Sequence, residues 1–403
     1  MERVALSVNP IEGKIREKLP TLQIDMIEDN LIVYPQSSEE VSSFIRFCND
    51  EKISIIPVGS GTQIAEADHT GVYLSTRKMN KIVELAKADL TVSVEAGITI
   101  KELAIALKEY GFLLPVSYHE KPNSTIGSLL VRDAGGIEQY AYSTINDYVI
   151  GLEFITPTGE LIKAGGKTVK NVTGYDFTRL FAKSWGTLGV ITKATFKLVP
   201  MPVEKALFIT HVGSIDELTQ QMKEVLSKRY ALATFMGVSS KLLGIDEGSK
   251  YGGIFVLAGS GKAVTHQINA LRNILDIKQV ITGIDNVDDY LEGLLSSKTL
   301  KGSIDIGSDR RTLLNDLPRT LDAMLDSTSI GVLVDGGRGL VQLTGDMMDV
   351  QEAKKLLKDR LKEFKCSFSD DRAPVDILYN RLKKDLDPNG IMYPNNPRFM
   401  EVG

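Results

Sequence analysis

The chain has 403 residues, enough for two or three domains, because a single hydrophobic core rarely grows beyond about 250–300 residues. Its 47 basic and 52 acidic residues give a formal net charge of −5 and leave no basic footprint for a nucleic acid. Two cysteines, Cys48 and Cys366, exclude a disulfide framework, and no apolar stretch approaches the roughly 18 residues of a membrane span. The first residues do not resemble a secretory signal, so we expect a cytoplasmic protein without direct membrane insertion.

Short strands and helices alternate through the first half of the chain. Ser37 begins a capping-box sequence, and apolar residues recur behind it at helical spacing. Residues 53–58 predict a short strand that ends in a glycine-rich turn. Thr99 begins a second capping box, and residues 149–163 predict a hairpin around the Pro and Gly of a type I turn.

Pro200 and Pro202 predict a domain boundary, because two prolines around one residue stop both strands and helices. Residues 206–282 then follow the order strand, helix, strand, strand, helix, strand of a ferredoxin-like unit. A second strand-and-helix set covers roughly 303–364, and a last helix is predicted over 375–385. We therefore expect an α+β fold. The predicted domains are residues 1–200, 201–374 and 375–403.

The run Pro57-Val58-Gly59-Ser60-Gly61-Thr62-Gln63 directly follows a predicted strand. Glycines let a backbone approach a diphosphate closely, and successive N–H groups in such a turn form an anion-binding nest. Ser60 and Thr62 would add hydroxyl donors. An ordinary connecting turn has the same composition, so this run alone leaves both interpretations open.

Two better-known nucleotide motifs are excluded by spacing. A dinucleotide-binding fingerprint would need a third glycine at position 64, where the chain has Ile64. The run from Gly259 to Lys262 resembles a phosphate-binding P-loop, but Val256 and Ala263 replace its required Gly and Ser/Thr. We interpret this second run as a tight turn between a strand and a helix.

Further glycine-rich segments follow at long intervals, and their order is informative. They are Thr125-Ile126-Gly127-Ser128, Asp133-Ala134-Gly135-Gly136, Asn171-Val172-Thr173-Gly174-Tyr175-Asp176 and the run from Ser184 to Thr192. Together with the first turn, they resemble the PCMH-type FAD-binding domain of the vanillyl-alcohol-oxidase class over roughly 31–200. Residues 387–391 resemble the C-terminal tail of that family. The resemblance is strongest to glycolate oxidase flavin subunits, the E-type in particular, and to D-2-hydroxyacid dehydrogenases.

This resemblance implies two small subdomains that hold an extended FAD, an α+β FAD-oxidase domain behind them, and a tail that returns to the FAD domain. Some members tether the flavin through a His in the diphosphate loop, which this loop lacks, so FAD is expected to be bound non-covalently. The resemblance assigns Pro57, Val58, Gly59, Ser60, Gly61, Thr62 and Gln63 to the diphosphate, Pro122, Thr125, Ile126, Gly127, Ser128, Ala134 and Gly135 to the ribityl and isoalloxazine side, and Ser143, Ile145, Asn146 and Ile191 to the adenine half or adjacent backbone, with Gly186 and Gly189 also at the cofactor.

The chain departs from the best-known dehydrogenases of this group. Ser128 replaces a glycine, Arg132-Asp133 replaces a small and amide pair, and Tyr393-Pro394-Asn395 replaces Asn-Pro-Gly. The His-x-Gly-Asp-Gly-Asn-x-His motif, which supplies a metal and a general base there, is missing, and His266 is the last histidine. No metal is therefore expected. The run Val334–Gly339 instead resembles the E-type glycolate oxidase subunit, which works beside a catalytic flavin subunit and an iron–sulfur subunit.

Four residues are candidates for substrate chemistry. Arg338 lies in a glycine-flanked segment and would grip a substrate carboxylate bidentately, with an exposed strand-end Arg as the alternative. Lys170 is a candidate charge partner of the substrate or flavin. Tyr175 either faces the flavin or packs in the core. His119 is the histidine next to a cofactor segment and a candidate general base, whereas the other histidines are interpreted as structural.

Two functions remain open from the sequence. In the first, the chain is an FAD-linked 2-hydroxyacid dehydrogenase or oxidase that takes a small carboxylic acid such as glycolate or D-lactate and passes electrons to an external acceptor. In the second, it is an accessory flavin subunit of a glycolate-oxidase-like complex, beside an iron–sulfur or second flavin subunit, without substrate chemistry of its own. An enoyl reductase of the cell-wall type would share the FAD fold but would need an NADPH site that nothing in the sequence suggests.

Overall fold

The computed structural model contains helices and strands throughout, as the α+β prediction requires. In the residues that the structure describes, they build three main sheets and one two-stranded pair. The structure describes residues 10–27, 30–61, 71–116, 122–166, 177–243, 249–295, 302–305, 331–335, 340–344 and 377–394.

The first sheet contains the strand that leads into the glycine-rich turn. Its strands lie in the order β1-β2-β4-β3, with β3 at an edge. Ser37 caps helix α2 by accepting from Glu40 N at 3.2 Å, while the Glu40 carboxylate accepts from Gln36 N, one residue before the expected return bond. The elements of this sheet are α1 (Pro10–Lys18), β1 (Gln23–Ile27), β2 (Asn30–Tyr34), α2 (Ser38–Glu51), β3 (Ile55–Val58) and β4 (Val72–Ser75).

The second sheet is antiparallel and has the order β5-β6-β10-β8-β9. Thr99 makes the complete capping box predicted for α3, and β8 and β9 form the predicted hairpin. Its elements are β5 (Ile82–Ala86), β6 (Thr91–Glu95), α3 (Ile100–Lys108), α4 (Ile126–Arg132), β8 (Val149–Ile155), β9 (Leu161–Gly165), α6 (Phe177–Leu180) and β10 (Val190–Lys197). The separate two-stranded pair consists of β7 (Phe112–Leu113) and β11 (Val199–Pro200). Helix α5 (Gln139–Tyr142) contacts the third sheet instead.

The third sheet has seven strands in the order β15-β12-β14-β13-β17-β18-β16. Its first four strands lie fourth, first, third, second, which is the arrangement of the predicted ferredoxin-like unit, and the three later strands extend it. The tight turn predicted at 259–262 is present, with Ser260 capping α9. The elements are β12 (Glu204–Val212), α7 (Ile215–Ser227), β13 (Leu232–Ser239), α8 (Ser240–Leu243), β14 (Tyr251–Gly259), α9 (Gly261–Arg272), β15 (Ile277–Thr282), α10 (Ile284–Leu295), β16 (Gly302–Asp305), β17 (Gly331–Asp335) and β18 (Leu340–Thr344).

A C-terminal segment closes the edge of the first sheet. Helix α11 (Ile377–Leu386), predicted over 375–385, packs against the core of the second sheet. Beyond it, Met392 lies parallel beside Ile55, whose N–H donates to the Ile391 carbonyl at 2.7 Å. The outer edge of β3 is thereby covered. The predicted limits of the three domains stay predictions.

Candidate functional site

The glycine-rich turn after β3 lies directly against the start of α4. A Cβ atom on Gly59 would stand only 2.1 Å from Thr125 Oγ1, so the approach requires glycine. Gly61 follows with φ of 76°, in the left-handed region, and Ser60 Oγ donates a hydrogen bond to the Asn123 carbonyl. The segments assigned to the diphosphate and to the flavin side are thus in direct contact.

The backbone of this turn offers two N–H donors that have no acceptor among the described residues. Within the described residues, no acceptor is bonded to the N–H groups of Ser60 and Gly61. The Gly59 carbonyl is held from behind by Ser75 Oγ, which donates to it at 2.8 Å. Pro57 and Val58 are the last residues of β3 and fix where the turn begins. Successive free N–H groups are the means by which such turns bind phosphate oxygens.

The backbone N–H groups at the start of α4 already donate to acceptors within the protein. Thr125 is its N-cap, and the Thr125 hydroxyl accepts from Ser128 N at 3.4 Å. The N–H groups of Ile126 and Gly127 donate at 2.9 and 2.8 Å to carbonyls of residues 96–98. Because the first N–H groups of this helix already have protein partners, the described donors left for an anion at this position are those of the turn after β3.

The end of α4 brings together a second set of predicted cofactor residues. Ile145 N donates to the Ala134 carbonyl at 3.0 Å, and Gly135 forms a bridge with Thr144. The Asn146 amide donates at 3.1 Å to the Leu130 carbonyl and at 2.9 Å to Asp133 Oδ1. Ala134, Gly135, Ile145 and Asn146 therefore form one unit at the end of α4, whereas Ser143 N donates to the Gln139 carbonyl at 2.9 Å.

The turn before β10 is strained and packs on the first glycine-rich turn. Lys183 and Trp185 have φ of 63° and 54°, and Gly186 has φ of 81°. Left-handed backbone at a bulky residue such as Trp costs free energy and persists only when its surroundings enforce it. Trp185 N donates to the Val131 carbonyl at 3.0 Å, and a Cβ on Gly186 would lie 3.6 Å from that of Pro57.

Two other predicted residues near this turn are structural neighbours of β8. Gly189 lies where a Cβ would come within 2.6 Å of the Ile155 carbonyl. Ile191 is buried in β10, opposite Phe154. Their assignment to the cofactor stays a prediction.

Two buried polar atoms of these segments lack hydrogen-bond partners. They are Ser184 Oγ in the strained turn and Asn146 Oδ1 beside the end of α4. A buried polar atom left unsatisfied costs about 1–3 kcal/mol. Both atoms lie in segments assigned to the cofactor, and they fit a bound polar ligand that would complete their hydrogen bonding.

A buried carboxylate joins the two sheets on either side of these segments. Glu153 on β8 accepts from Ser38 Oγ of α2 at 2.6 Å. Its oxygens also lie 3.1 Å from Lys193 Nζ and 3.2 Å from Lys163 Nζ. Burial by itself would raise the pKa of Glu153, but the bonds from Ser38, Lys193 and Lys163 lower it to about 2.

The C-terminal segment is a component of this region whose contacts sequence reasoning missed. Lys383 Nζ donates at 2.6 Å to the carbonyls of Thr187 and Met392 and at 2.6 Å to Asp387 Oδ2. The Tyr379 hydroxyl hydrogen-bonds to Thr187 Oγ1. The Asp-Pro-x-Gly pattern was the available signal for a returning tail, but it gives no sign of what Lys383 contacts.

Six predicted site residues lie outside the described residues. They are Thr62, Gln63, His119, Lys170, Tyr175 and Arg338. Within the described part of the chain, no group of three or more His, Cys, Asp or Glu side chains could hold a metal ion. None of the helices described there is long and apolar enough to cross a membrane.

Comparison with known proteins identifies the glycine-rich region. Residues 30–165 match a family described as an FAD-binding domain. The chain carries an FAD-binding domain of the PCMH type. This domain contains the turn after β3, all of α4 and the Asn146 unit, and the resemblance predicted from the glycine-rich segments is confirmed.

Relatives agree with this assignment over part of their length. Glycolate oxidase subunit GlcD of Bacillus subtilis is 33% identical over 237 residues, which cover 58% of this chain and 50% of that protein. D-lactate dehydrogenase of Archaeoglobus fulgidus is 33% identical over 210 residues, covering 51% and 47%. The chain spans about half the length of the curated relatives it matches.

A solved structure shows that the fold is shared over a longer stretch. Alkyldihydroxyacetonephosphate synthase superposes with a TM-score of 0.70 at 19% identity, over 91% of this chain and 76% of that one. At this identity the likeness concerns the fold alone. It extends the similarity beyond the FAD-binding domain into the third sheet.

Proposed function

We propose that the chain is an FAD-dependent oxidoreductase of the 2-hydroxyacid dehydrogenase group, acting on a small acid such as glycolate or D-lactate. The observation that carries this proposal is the contact of Gly59 with Thr125, which joins two segments of an FAD-binding domain around free N–H groups. The names of the relatives, glycolate oxidase subunit and D-lactate dehydrogenase, support the substrate class.

The described residues fit the cofactor in three respects. The N–H groups of Ser60 and Gly61 would hold the diphosphate, and Ser184 Oγ and Asn146 Oδ1 would gain the partners they lack. When bound, FAD would supply the redox step by accepting a hydride from the carbon that bears the substrate hydroxyl. The residues of the chain would provide orientation and proton handling.

Four residues are proposed for the substrate itself. Arg338 would bind its carboxylate bidentately, with Lys170 as a second positive charge. His119 would take the hydroxyl proton, and Tyr175 would lie against the flavin. Electrons would then leave to an external acceptor, which in a complex would be an iron–sulfur or second flavin subunit.

Attachment of FAD is proposed to be non-covalent. The run 57–63 contains neither His nor Cys to which the flavin could be tethered. Acid precipitation of the purified yellow protein should therefore leave the flavin absorbance in the supernatant. Flavin that stays in the pellet would contradict non-covalent binding.

Anaerobic spectroscopy tests the activity. Purified protein should show the visible absorption bands of oxidised flavin. Glycolate or D-lactate should bleach these bands by reducing the flavin, without any partner protein. Arg338→Ala should retain the flavin but require far more substrate for bleaching. Protein without flavin absorbance, even after incubation with FAD, would overturn the proposal.

A second candidate is the accessory flavin subunit. The sequence observation that favours it is the lack of any histidine after His266, where hydroxyacid dehydrogenases carry their metal and base motif. An accessory subunit would be yellow but would not bleach with either acid alone. Bleaching that occurs only after co-purified partners are added back would establish this function instead.

The diphosphate assignment has a direct test at Gly61, whose φ of 76° favours glycine and is tolerated by asparagine and aspartate. Gly61→Asp would place a carboxylate against the diphosphate and should abolish FAD binding. Gly61→Asn is the matched control, because the asparagine side chain has the shape of aspartate and tolerates the left-handed backbone but carries no negative charge. Equal FAD affinity of the two variants would show that the diphosphate lies elsewhere.

A further inference from the structure

A short segment of the FAD-binding domain is buried in the third sheet. Ile137 is fully buried in the hydrophobic core that lies between the third sheet and α10. The Tyr140 ring meets Phe235 of β13 edge-on, with centroids 5.3 Å apart. Residues 136–142, which include α5, therefore pack against the third sheet through Ile137 and Tyr140, although they belong to the FAD-binding domain.

Both ends of this segment are predicted cofactor residues. At one end, Ala134 N donates to the Leu129 carbonyl at 2.9 Å. At the other, Ile145 N donates to the Ala134 carbonyl at 3.0 Å, and Gly135 bridges to Thr144. The two ends of residues 136–142 are therefore held together by these bonds. A displacement of Glu138, in the middle of the sequence between them, would be passed to Ala134 and Ile145 through the connecting backbone.

A buried ion cluster of Lys205, Glu138 and Asp288 holds residues 136–142 against the third sheet. Lys205 Nζ of β12 lies 2.9 Å from Glu138 Oε1 and 2.8 Å from Asp288 Oδ1 of α10. The side chains of Lys205, Glu138 and Asp288 are only 8%, 10% and 18% exposed. The contact to Glu138 is an ion pair off the hydrogen-bonding direction, whereas Lys205 donates a hydrogen bond to Asp288.

The charges of Glu138, Lys205 and Asp288 favour the arrangement in which the segment is docked on the third sheet. Burial alone would lower the pKa of Lys205, but the carboxylates of Glu138 and Asp288 raise it above its usual value. If the third sheet moved away from the segment, Glu138 would lose the countercharge that permits its burial, and Lys205 would keep only Asp288. The cluster therefore opposes separation of the segment from the sheet.

We propose that Lys205, through Glu138, couples FAD binding to docking of the third sheet, with Lys205 as a positioning residue. The proposal rests on the proposed placement of FAD along Ala134, Gly135 and Ile145. Docking fixes these residues in their FAD-binding conformation, and bound FAD in return strengthens docking. Coupling of this kind is reciprocal, so both directions are measurable.

The chain provides its own reporter and control. Trp185 is its single tryptophan and lies next to Gly186, so quenching of its emission by FAD gives the dissociation constant. Hydrogen exchange of β12 and α10, with and without FAD, measures docking. Lys278→Met is the matched control, because Lys278 pairs with Asp276 at the surface, with side chains 45% and 70% exposed.

Three variants separate coupling from stability. Lys205→Met should weaken FAD binding by about tenfold or more and abolish the protection that FAD gives to β12 and α10. Glu138→Gln keeps the shape of the segment and should show the same loss if Lys205→Met proves too unstable to purify. The double variant Lys205→Met/Glu138→Gln leaves no charge on Glu138 to be buried without Lys205, although Asp288 still lacks Lys205, so it should recover part of the thermal stability but not the FAD-dependent protection.

Opposite outcomes are equally clear. The proposal is overturned if Lys205→Met and Glu138→Gln bind FAD within about twofold of the unmodified protein and the Lys278→Met control. It is also overturned if the double variant recovers both stability and FAD-dependent protection, because the cluster would then be purely structural. Failure of the unmodified protein to bind FAD would instead contradict the proposed function.

Discussion

Ser38 of α2 donates a 2.6 Å hydrogen bond to the buried carboxylate of Glu153 on β8, and this bond links the first two sheets. Glu153 also pairs with Lys163 and Lys193 and accepts from Thr192 Oγ1 at 3.2 Å, so four donors surround one carboxylate that is only 7% exposed. Both sheets that this contact links contain predicted cofactor residues, Pro57 and Val58 in β3 and Ile191 in β10. Loss of the Ser38–Glu153 hydrogen bond should therefore lower the free energy of unfolding more than it lowers activity.

The first prediction concerns acid sensitivity. Because the pKa of Glu153 is about 2 in the folded chain and 4.5 when unfolded, its contribution is present above pH 4.5 and is lost as the pH falls through about 2. Glu153→Gln should cost up to about 3 kcal/mol at neutral pH, and the difference should shrink in acid. Urea unfolding at several pH values measures this, with exposed Glu160→Gln as control. A pH-independent difference would show that Glu153 is not ionised in the folded chain.

The second prediction concerns the contact between Gly59 and Thr125. Gly59→Ala adds a methyl group 2.1 Å from Thr125 Oγ1, which should cost about 1–3 kcal/mol and lower flavin occupancy. Gly261→Ala is the control, since nothing lies within 4 Å of a Cβ there. The ratio of flavin to protein absorbance, together with urea unfolding, checks both effects. Full occupancy of Gly59→Ala would show that the two segments do not need this close approach.

The third prediction concerns backbone strain at Ser143. Its φ of 64° and ψ of −145° lie in a region that glycine alone adopts readily. Ser143→Gly should raise the unfolding free energy of the FAD-free protein by about 1 kcal/mol, although it loses the hydrogen bond to Asp147. Ser143→Ala loses the same bond without relieving strain and should be destabilising. Equal stability of the two variants would argue against strain at this position.

The fourth prediction concerns Lys383. Its replacement by Met removes the donor to Thr187 and Met392 and leaves Asp387 buried without a countercharge, at a cost of about 3 kcal/mol. Lys383→Met/Asp387→Asn should recover part of that loss. Limited proteolysis should cut the C-terminal segment faster in the single variant. Protection equal to the unmodified protein would show that the tail is held by its apolar contacts alone.

Local features were predictable from the sequence. Ser37 and Thr99 cap their helices, and the turn around Ser260 is the tight turn that its spacing indicated, because these geometries depend on neighbours within four residues. The ferredoxin-like order was also predicted, since each of its strands and helices has its own apolar period. Strand ends differ by one to two residues, as expected where helices and strands fray.

Long-range pairings were not predictable. Nothing near Glu138 indicates that its partner is Lys205, and Thr125 was assigned to the cofactor without its capping role. The strain at Trp185 was equally hidden, because a positive φ at a bulky residue is imposed by packing rather than favoured by the residue. Such features depend on tertiary contacts between residues far apart in the chain.

The covering of β3 by residues 391–393 has a consequence for biosynthesis. Ile55 emerges early from the ribosome, but the backbone that completes its hydrogen bonds is made only after the third sheet has been translated. Non-local pairing of this kind is slow to form. The hydrogen bonding of this strand edge is therefore completed only after residues 391–393 have been synthesised, which makes it a late step in folding.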